Sequence, residues 1–326
     1  MKKFVKNQPI ESIKDGTRID DIFVVKIKKF FRPYKNGFYF ELLISDATGK
    51  TINYRYWGTR DEEKVRALYD SIRDDSVVHI QGMARIYNGT VQISTNEPDI
   101  VEVLKPGQYD EWTFIKQAQR DIDKMFSELT DYINQIQNPE LKKFVHDVFS
   151  DKEIREKFKL HPASIEIHHN WKGGLLQHTL EVLRYCELSA EMFPSLNKDL
   201  LIAGAIMHDI GKLRELAVTS RIKGTKKGQL KGHIVMGFAF MYEKLKNYNI
   251  DEDTKDKLLH IILSHHGEKQ YGSPKEPMIP EAVVVHHADA MSAKITEITQ
   301  FVEQSKNRTE DEFMYNRRKG LNIFLK

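Results

Sequence analysis

The spacing of hydrophobic and polar positions changes character once along this chain. From residue 17 to 104 apolar residues alternate with polar ones or run in short blocks rich in branched and aromatic side chains, the signature of strands. Ile22 to Phe31 is the first such run, and Pro33-Tyr34-Lys35-Asn36-Gly37 after it is turn chemistry. Phe38 to Ile44 follows, then Thr48-Gly49 turns into Thr51 to Trp57. Asp61 to Ile72 breaks the alternation: Val65, Leu68 and Ile72 recur at helical spacing behind an acidic first turn. Val77 to Tyr87 and Val91 to Val103 read as strands again, joined by Asn88-Gly89, a hairpin signal. Three strands, a helix and two strands is the order of an OB-fold, although other small β-barrels share it.

Pro106-Gly107 ends the β-rich region. Beyond it the period is helical. Glu111 to Gln137 predicts one long helix with Phe114, Ile115, Ala118, Ile122, Met125, Phe126, Leu129 and Ile133 on a broad apolar face, and Pro139 interrupts it. Shorter helices are expected at Leu141 to Phe149 and Lys152 to Phe158, a buried helix at Leu200 to Met207, and further helices over 258–266 and Val283 to Lys294. The expected fold class is α+β multidomain: an OB-fold-like barrel over residues 1–105, a helical connector over 106–160, and an all-α bundle over 161–326. The connector must pack on the bundle, because its apolar face needs burial.

The 326 residues suit two domains, and 40% hydrophobic with 30% charged residues is soluble composition. A net charge of +3 demands no polyanionic partner, but the distribution does more than the sum. Between Ile22 and Phe40 lie Lys26, Lys28, Lys29, Arg32 and Lys35 with no acid, interleaved with Phe30, Phe31, Tyr34, Phe38 and Tyr39; Tyr54, Tyr56 and Trp57 follow. A basic groove with stacking rings holds single strands without reading sequence. Lys26, Lys28, Arg32, Tyr34, Lys35, Tyr39, Tyr54, Tyr56 and Trp57 are therefore candidate nucleic-acid contacts. The competing reading puts half of the rings in the barrel core and makes the lysines guards against edge pairing. A second cationic stretch, read as flexible, runs from Lys212 to His233 and offers Lys223, Lys226 and Lys227 as phosphate contacts. The tail from Tyr315 to Leu321 is basic as well. A single cysteine, Cys186, excludes an internal disulfide and fits a reducing compartment. The first residues lack the apolar core of a signal peptide, and no run reaches membrane-spanning length. The expectation is a cytoplasmic protein with no membrane partner.

The candidate chemistry is carried by histidines and aspartates beside the apolar helical runs. His178 lies in Gly173-Gly174-Leu175-Leu176-Gln177-His178-Thr179, and His208-Asp209-Ile210-Gly211-Lys212 closes the Leu200 run. His233 follows Gly232, His265-His266 ends the 258–266 helix, and Asp289 comes last. The His-Asp pair alone would read as a solvated helix end. The ordered set is different: imidazoles and carboxylates hold first-row metals with positions left open for water. These groups exceed what one metal needs, and two metals sharing a carboxylate would use them all.

This set resembles the HD-domain metal-dependent phosphohydrolases, in their two-metal form. The resemblance implies that His178, His208, Asp209 and Asp289 hold one metal and that Asp209 bridges to a second held by His233, His265 and His266. It makes Asp209 and Lys212 the catalytic residues, with Lys212 contacting a nonbridging oxygen or protonating the leaving group. His168 and His169 read as outer contacts or as loop structure, Lys294 as a group facing substrate, and His286 and His287 have no place in the pattern. An OB-like barrel followed by an HD domain resembles the YhaM-type 3′→5′ exoribonuclease family over nearly the whole chain. That resemblance implies metal-dependent trimming of single-stranded RNA, and of single-stranded DNA, from the 3′ end to nucleoside monophosphates. It also implies two divalent ions with manganese preferred, while the donor set itself accepts Mn2+, Fe2+, Co2+ or Zn2+. Two alternatives stand beside it. One is an HD-type nucleotide or cyclic-dinucleotide phosphodiesterase; the other is a non-catalytic accessory protein that binds single strands. The sequence leaves a homo-oligomer open.

Overall fold

The computed structural model describes residues 3–306 and 308–326. They form two units, Met1–Lys116 with Val218–Arg221, and Gln117–Ala217 with Ile222–Lys326.

In the first unit the strands are β1 (Arg18–Tyr34), β2 (Gly37–Ser45), β3 (Thr51–Trp57), β4 (Val77–Tyr87), β5 (Thr90–Asn96) and β6 (Val101–Leu104), with helix α1 (Glu62–Ser71) between β3 and β4. They pair in the order β1-β2-β3-β5-β4-β6, and a further β1–β4 pairing closes the first five into a ring. The β3–β5 pairing is parallel and the others are antiparallel. This is the expected OB-like barrel. Strand β1 serves two partners because it bends: Arg18 to Val24 pairs with β4, Val24 to Tyr34 pairs with β2, and register shifts fall between Val25 and Ile27 and between Lys28 and Phe31. Even-numbered residues of β2 and β3, from Phe40 through Tyr56, point into a core that also holds Phe23, Ile80 and Ile93.

Two expectations here need correction. The strand expected over Val91 to Val103 is two strands, because Pro98 has no N–H for a ladder and Asp99 N donates to Asn96 O at 2.9 Å to close a turn. The long helix expected from Glu111 starts only at Ile122. Phe114 instead joins Ile22, Val24, Val77, Leu104 and Tyr109 in a satellite core of the first unit. Ala118 N donates to Lys172 O at 2.9 Å, in a strand-like bridge. The helix can start only where Asp121 supplies a cap, its carboxylate accepting from Lys124 N.

The second unit is helical. Helices α2 (Ile122–Gln135), α3 (Pro139–Ser150) and α4 (Lys152–Leu160) lead into α5 (Gly174–Met192) and α6 (Lys198–Met207). After them come α7 (Lys212–Glu215), the hairpin β7 (Leu216–Val218) and β8 (Ile222–Gly224), then α8 (Lys226–Lys231), α9 (His233–Leu245), α10 (Glu252–Ser264) and α11 (Pro280–Ser305). A second hairpin, β9 (Phe313–Asn316) with β10 (Leu321–Phe324), ends the chain. One apolar core joins α2–α4 (Met125, Leu129, Phe144) to α5 and α6 (Leu176, Ile206). The cationic stretch read as a flexible loop is ordered: Thr225 caps α8 by accepting from Gly228 N at 2.8 Å. Among the described residues no helix is long and apolar enough to cross a membrane.

The cap at Asp121 gives a direct check of where α2 begins. Asp121→Ala is expected to lower stability by about 1 kcal/mol, and Asp121→Asn to leave it near wild type. The shift of the urea midpoint measures both.

Candidate metal centre

Helix α6 is buried on every side from Leu200 to Met207, so its C-terminal end opens inside the bundle rather than at the surface. His208 and Asp209 follow at that end, both 1% exposed. Charges are rarely placed so deep unless something compensates them. Close packing brings the partners. A Cβ on Gly211 would lie 1.9 Å from His233 O, so only glycine lets the start of α9 reach the turn after Asp209. Helix α5 supplies His178, α11 supplies Asp289, and the end of α10 supplies His265 and His266.

The two oxygens of Asp209 face two groups of imidazoles. Oδ2 lies 3.5 Å from His178 Nε2 and 3.3 Å from His208 Nε2. Oδ1 lies 3.6 Å from both His233 Nε2 and His265 Nε2. Asp289 Oδ1 is 3.1 Å from His178 Nε2. His178, His208 and Asp209 form one cluster with all donor atoms within 4.8 Å of one another, and His233, His265 and His266 form another. The structure thus brings together all seven residues expected to bind metal, with Asp209 between the halves.

Hydrogen bonding shows which ring atoms are spare. His208 Nδ1 bonds Ala205 O at 2.7 Å, His265 Nδ1 bonds Ile262 O at 2.8 Å, and His266 Nδ1 bonds Tyr271 O at 2.8 Å. His233 Nδ1 meets Glu215 at 3.1 Å, and His178 Nδ1 meets Ser292 Oγ at 2.9 Å. Each Nδ1 facing an acceptor carries the proton, which leaves the Nε2 lone pair directed inward. Both Asp209 oxygens, His233 Nε2 and His265 Nε2 are buried without a hydrogen-bond partner. Lys212 Nζ sits 2.6 Å from Asp209 Oδ2 and pairs its charge, but not with the angles of a hydrogen bond. Orphaned acceptors converging on one point fit divalent cations, which need lone pairs and no protons.

The electrostatics agree. Burial alone would raise the Asp209 carboxyl, yet the Lys212 ammonium and His208 hold it well below the usual range. Asp289 is held low in the same way by His178, again against burial. Burial pushes His178 down to about 4 despite the pull of Asp289. Burial likewise opposes the Lys212 charge, and Asp209 and Asp289 keep it protonated.

An outer ring, of which the sequence suggested only His169, holds this arrangement. Ser292 Oγ donates to Glu181 at 2.7 Å while facing His178 Nδ1, and Glu181 also takes His169 Nε2 at 3.1 Å and Gln177 Nε2 at 3.0 Å. His169 is thus committed to Glu181 and braces the ring, although it clusters with His168 and His178. His286 Nδ1 bonds His265 O at 2.8 Å and pins the end of α10, which gives it the role its sequence position concealed. His287 and Lys294 are exposed. His161 Nε2 bonds Lys212 O at 2.9 Å. A cleft of about 720 Å³ adjoins the centre, lined by His168, Lys212, Glu215, His233, His266 and Arg318 among others. Lys223, Lys226 and Lys227 are exposed and do not line it.

In the first unit the expected nucleic-acid contacts separate into two sets. Tyr54 and Tyr56 must be withdrawn. Tyr54 is fully buried with its hydroxyl on Thr95 Oγ1 at 2.9 Å, and Tyr56 stacks on Phe40 inside the barrel. Tyr34, Tyr39 and Trp57 instead cluster on the outer face, with ring centroids 4.8 Å apart for Tyr34–Trp57 and 5.1 Å for Tyr39–Trp57. Arg55 lies over the Trp57 ring at 5.1 Å and pairs with Glu41. Lys26, Arg32 and Lys35 are exposed, whereas Lys28 sits over Tyr69 at 3.8 Å.

Comparison with known proteins adds the following. The family profile described as HD domain matches residues 175–294. A protein of Shouchella clausii (strain KSM-K16) named 3'-5' exoribonuclease YhaM is 30% identical over 304 residues, 93% of this chain and 91% of that protein. Its namesake in Bacillus subtilis (strain 168) is 28% identical over 291 residues, 89% of this chain and 90% of the relative. A solved HD domain of the L. monocytogenes phosphodiesterase PgpH matches at 16% identity and TM-score 0.28, covering 53% of this chain and 83% of its own; so loose a match carries no weight.

Two measurements test the centre. Ser292→Ala strips His178 Nδ1 and Glu181 of a shared partner, and is expected to weaken divalent-ion affinity roughly 10–100-fold in titration calorimetry. The second concerns pH. His161 and His178 are both pushed to about 4 from 6.5 by burial. The unfolded chain then takes up protons that the folded chain refuses, so metal-stripped protein loses stability as pH falls from about 6.5 toward 4. Denaturant melts across that window are expected to show the loss, and His161→Gln to reduce its slope.

Proposed function

This chain belongs to the YhaM family of 3′-5′ exoribonucleases, and we propose that it is a metal-dependent hydrolase that removes nucleotides from the 3′ end of single-stranded RNA, releasing nucleoside monophosphates and accepting single-stranded DNA. The relatives favour neither the small-nucleotide phosphodiesterase nor the accessory binding protein. The observation that carries the reading is Asp209: a buried carboxylate with both oxygens free of hydrogen bonds, each facing its own group of imidazole nitrogens.

The residues suit a pair of divalent ions, Mn2+ in our reading. His178, His208, Asp209 and Asp289 would hold one, and Asp209, His233, His265 and His266 the other. Such ions supply water acidified at neutral pH and neutralise phosphoryl charge, so no Ser or Cys nucleophile is required. The chain itself supplies the rest. Ser292, Ala205, Ile262 and Tyr271 fix ring orientation through Nδ1, so that the inward lone pairs are set before substrate arrives. Glu215 does the same for His233. Lys212 keeps its proton beside Asp209 and faces the cleft, where it can contact a nonbridging oxygen or protonate the leaving oxygen. The barrel binds the strand through Tyr34, Tyr39 and Trp57, with Lys26, Arg32 and Lys35 as cations around them. Base-on-ring stacking contributes about 1–3 kcal/mol per base without reading sequence.

Digestion of end-labelled single strands with added Mn2+ tests the reaction. A ladder shortening from a free 3′ terminus is expected; equal cleavage of strands with blocked 3′ ends would defeat the exonuclease assignment. Asp209→Asn is expected to lower hydrolysis by three orders of magnitude or more, roughly what loss of a central catalytic group does, while strand binding survives. Trp57→Ala is expected to do the reverse, weakening binding by about 1–3 kcal/mol with kcat on a dinucleotide unchanged.

A further inference from the structure

The cleft beside the metal centre is lined by four charged groups, Glu166, Lys212, Glu215 and Arg318, and two of them are held by the centre itself. Lys212 is held by Asp209 at 2.6 Å. Glu215 is held by His233, through the ring at 3.1 Å and the backbone N–H at 3.0 Å. What remains is Glu166, exposed on the rim, and Arg318. Arg318 comes from the turn of the C-terminal hairpin and shares the wall of the cleft with His233 and His266. Among the described residues its one ion pair is with Glu297 on α11, at 3.6 Å from Nε. Lys319 holds the other oxygen of that carboxylate more tightly, at 2.6 Å. One acid between two cations leaves a charge over, and the looser contact shows that it belongs to Arg318. Among the described residues, no hydrogen bond engages its guanidinium.

The hairpin holds the root of this side chain in place. Buried Asn316 accepts from Arg318 N and Lys319 N at 3.1 Å each, and Gly320 N closes back onto Asn316 O at 2.9 Å with φ +68°. Ile323 of the far strand and Leu325 just after it are buried. Glu297 also fixes the distance from the chemistry. It follows Asp289 on the same helix by eight residues, about 12 Å along the axis at 1.5 Å per residue. That offset of its anchor from Asp289 is what points to a neighbouring phosphate rather than the one at the Asp209 cluster.

From these observations we infer that Arg318 binds the backbone phosphate of a neighbouring nucleotide, so that the C-terminal hairpin is part of the substrate site. Guanidinium suits the task because it stays charged and can fork onto two phosphate oxygens. The inference rests on the exoribonuclease reading and deepens it. Arg318 would position the strand rather than take part in bond breaking, and only substrates with more than one phosphate would feel it.

The test compares a dinucleoside monophosphate, which has a single phosphate, with a longer oligoribonucleotide. Arg318→Gln is expected to raise KM for the oligomer roughly tenfold or more, as loss of a charge-assisted contact does. KM for the dinucleoside monophosphate should stay unchanged, and kcat for both. The slope of log KM against log salt should fall by about 0.7 for the oligomer. Arg318→Lys keeps the charge without the fork and is expected to lie between wild type and Arg318→Gln. Equal losses on both substrates, or none on either, would overturn the assignment. If wild type shortens neither substrate, the exoribonuclease reading itself fails; if wild type shortens both and Arg318→Gln matches it, only the hairpin's role is lost.

Discussion

A carboxylate with no hydrogen-bond partner, 1% exposed at the end of an apolar helix, is the constraint from which the second unit follows. Moving a charge from water to such a place is unfavourable by several kcal/mol even after relaxation. The protein offsets this in part with one ammonium, Lys212, and surrounds the carboxylate with imidazoles, of which His233 and His265 leave Nε2 without a hydrogen-bond partner. Lone pairs facing a carboxylate stabilise nothing by themselves. They become favourable only around cations, and in that sense the unit is folded for metal.

The same constraint explains the glycines and the outer hydrogen bonds. His178 comes from α5, His233 from α9, His265 from the end of α10 and Asp289 from α11, so four helices must converge on the end of a fifth. Backbone has to touch backbone at the crossings. Gly211 against His233 O is such a place, where a Cβ would lie 1.9 Å from a carbonyl oxygen. Once the helices are that close, ring orientation is the remaining freedom. The Nδ1 bonds to Ala205 O, Ile262 O, Tyr271 O, Ser292 and Glu215 remove it.

How much of this the sequence disclosed depends on the kind of signal each residue carries. The candidate metal centre was legible because His208-Asp209 ends a run too apolar to lie at a surface, and because the other proposed ligands recur in order beside helical patterns. Its outer ring was not. Ser292, Glu181 and His286 look like ordinary helix residues, and only the packing of α5 against α11 gives them partners. In the barrel, alternation predicted strands but not which face looked inward, so Tyr54 and Tyr56 were grouped with Trp57. Arg55 carried the missing clue: a charged residue on β3 must point outward, and Trp57 shares its parity while Tyr54 and Tyr56 do not. Phe114 failed for a different reason. Its helical spacing to Ala118 and Met125 is coincidental, because it packs with Tyr109 and Leu104 in the first unit.

The two units divide the physical work of a strand-shortening hydrolase in a way their residues make intelligible. Rings and exposed cations bind any strand, because every base has a π-face and every nucleotide a phosphate. Such binding barely changes when one nucleotide leaves the end, so it need not be broken at each turnover. Cleavage makes the opposite demand: reacting atoms must be placed to within a fraction of an ångström, and small displacements are expensive in rate. Tyr34, Tyr39 and Trp57, the proposed strand contacts, are half-exposed on the outside of a barrel, while Asp209 and its imidazoles lie deep in close-packed helices. Tolerance and precision call for different surroundings, and a chain that needs both gains by keeping them in separate folds.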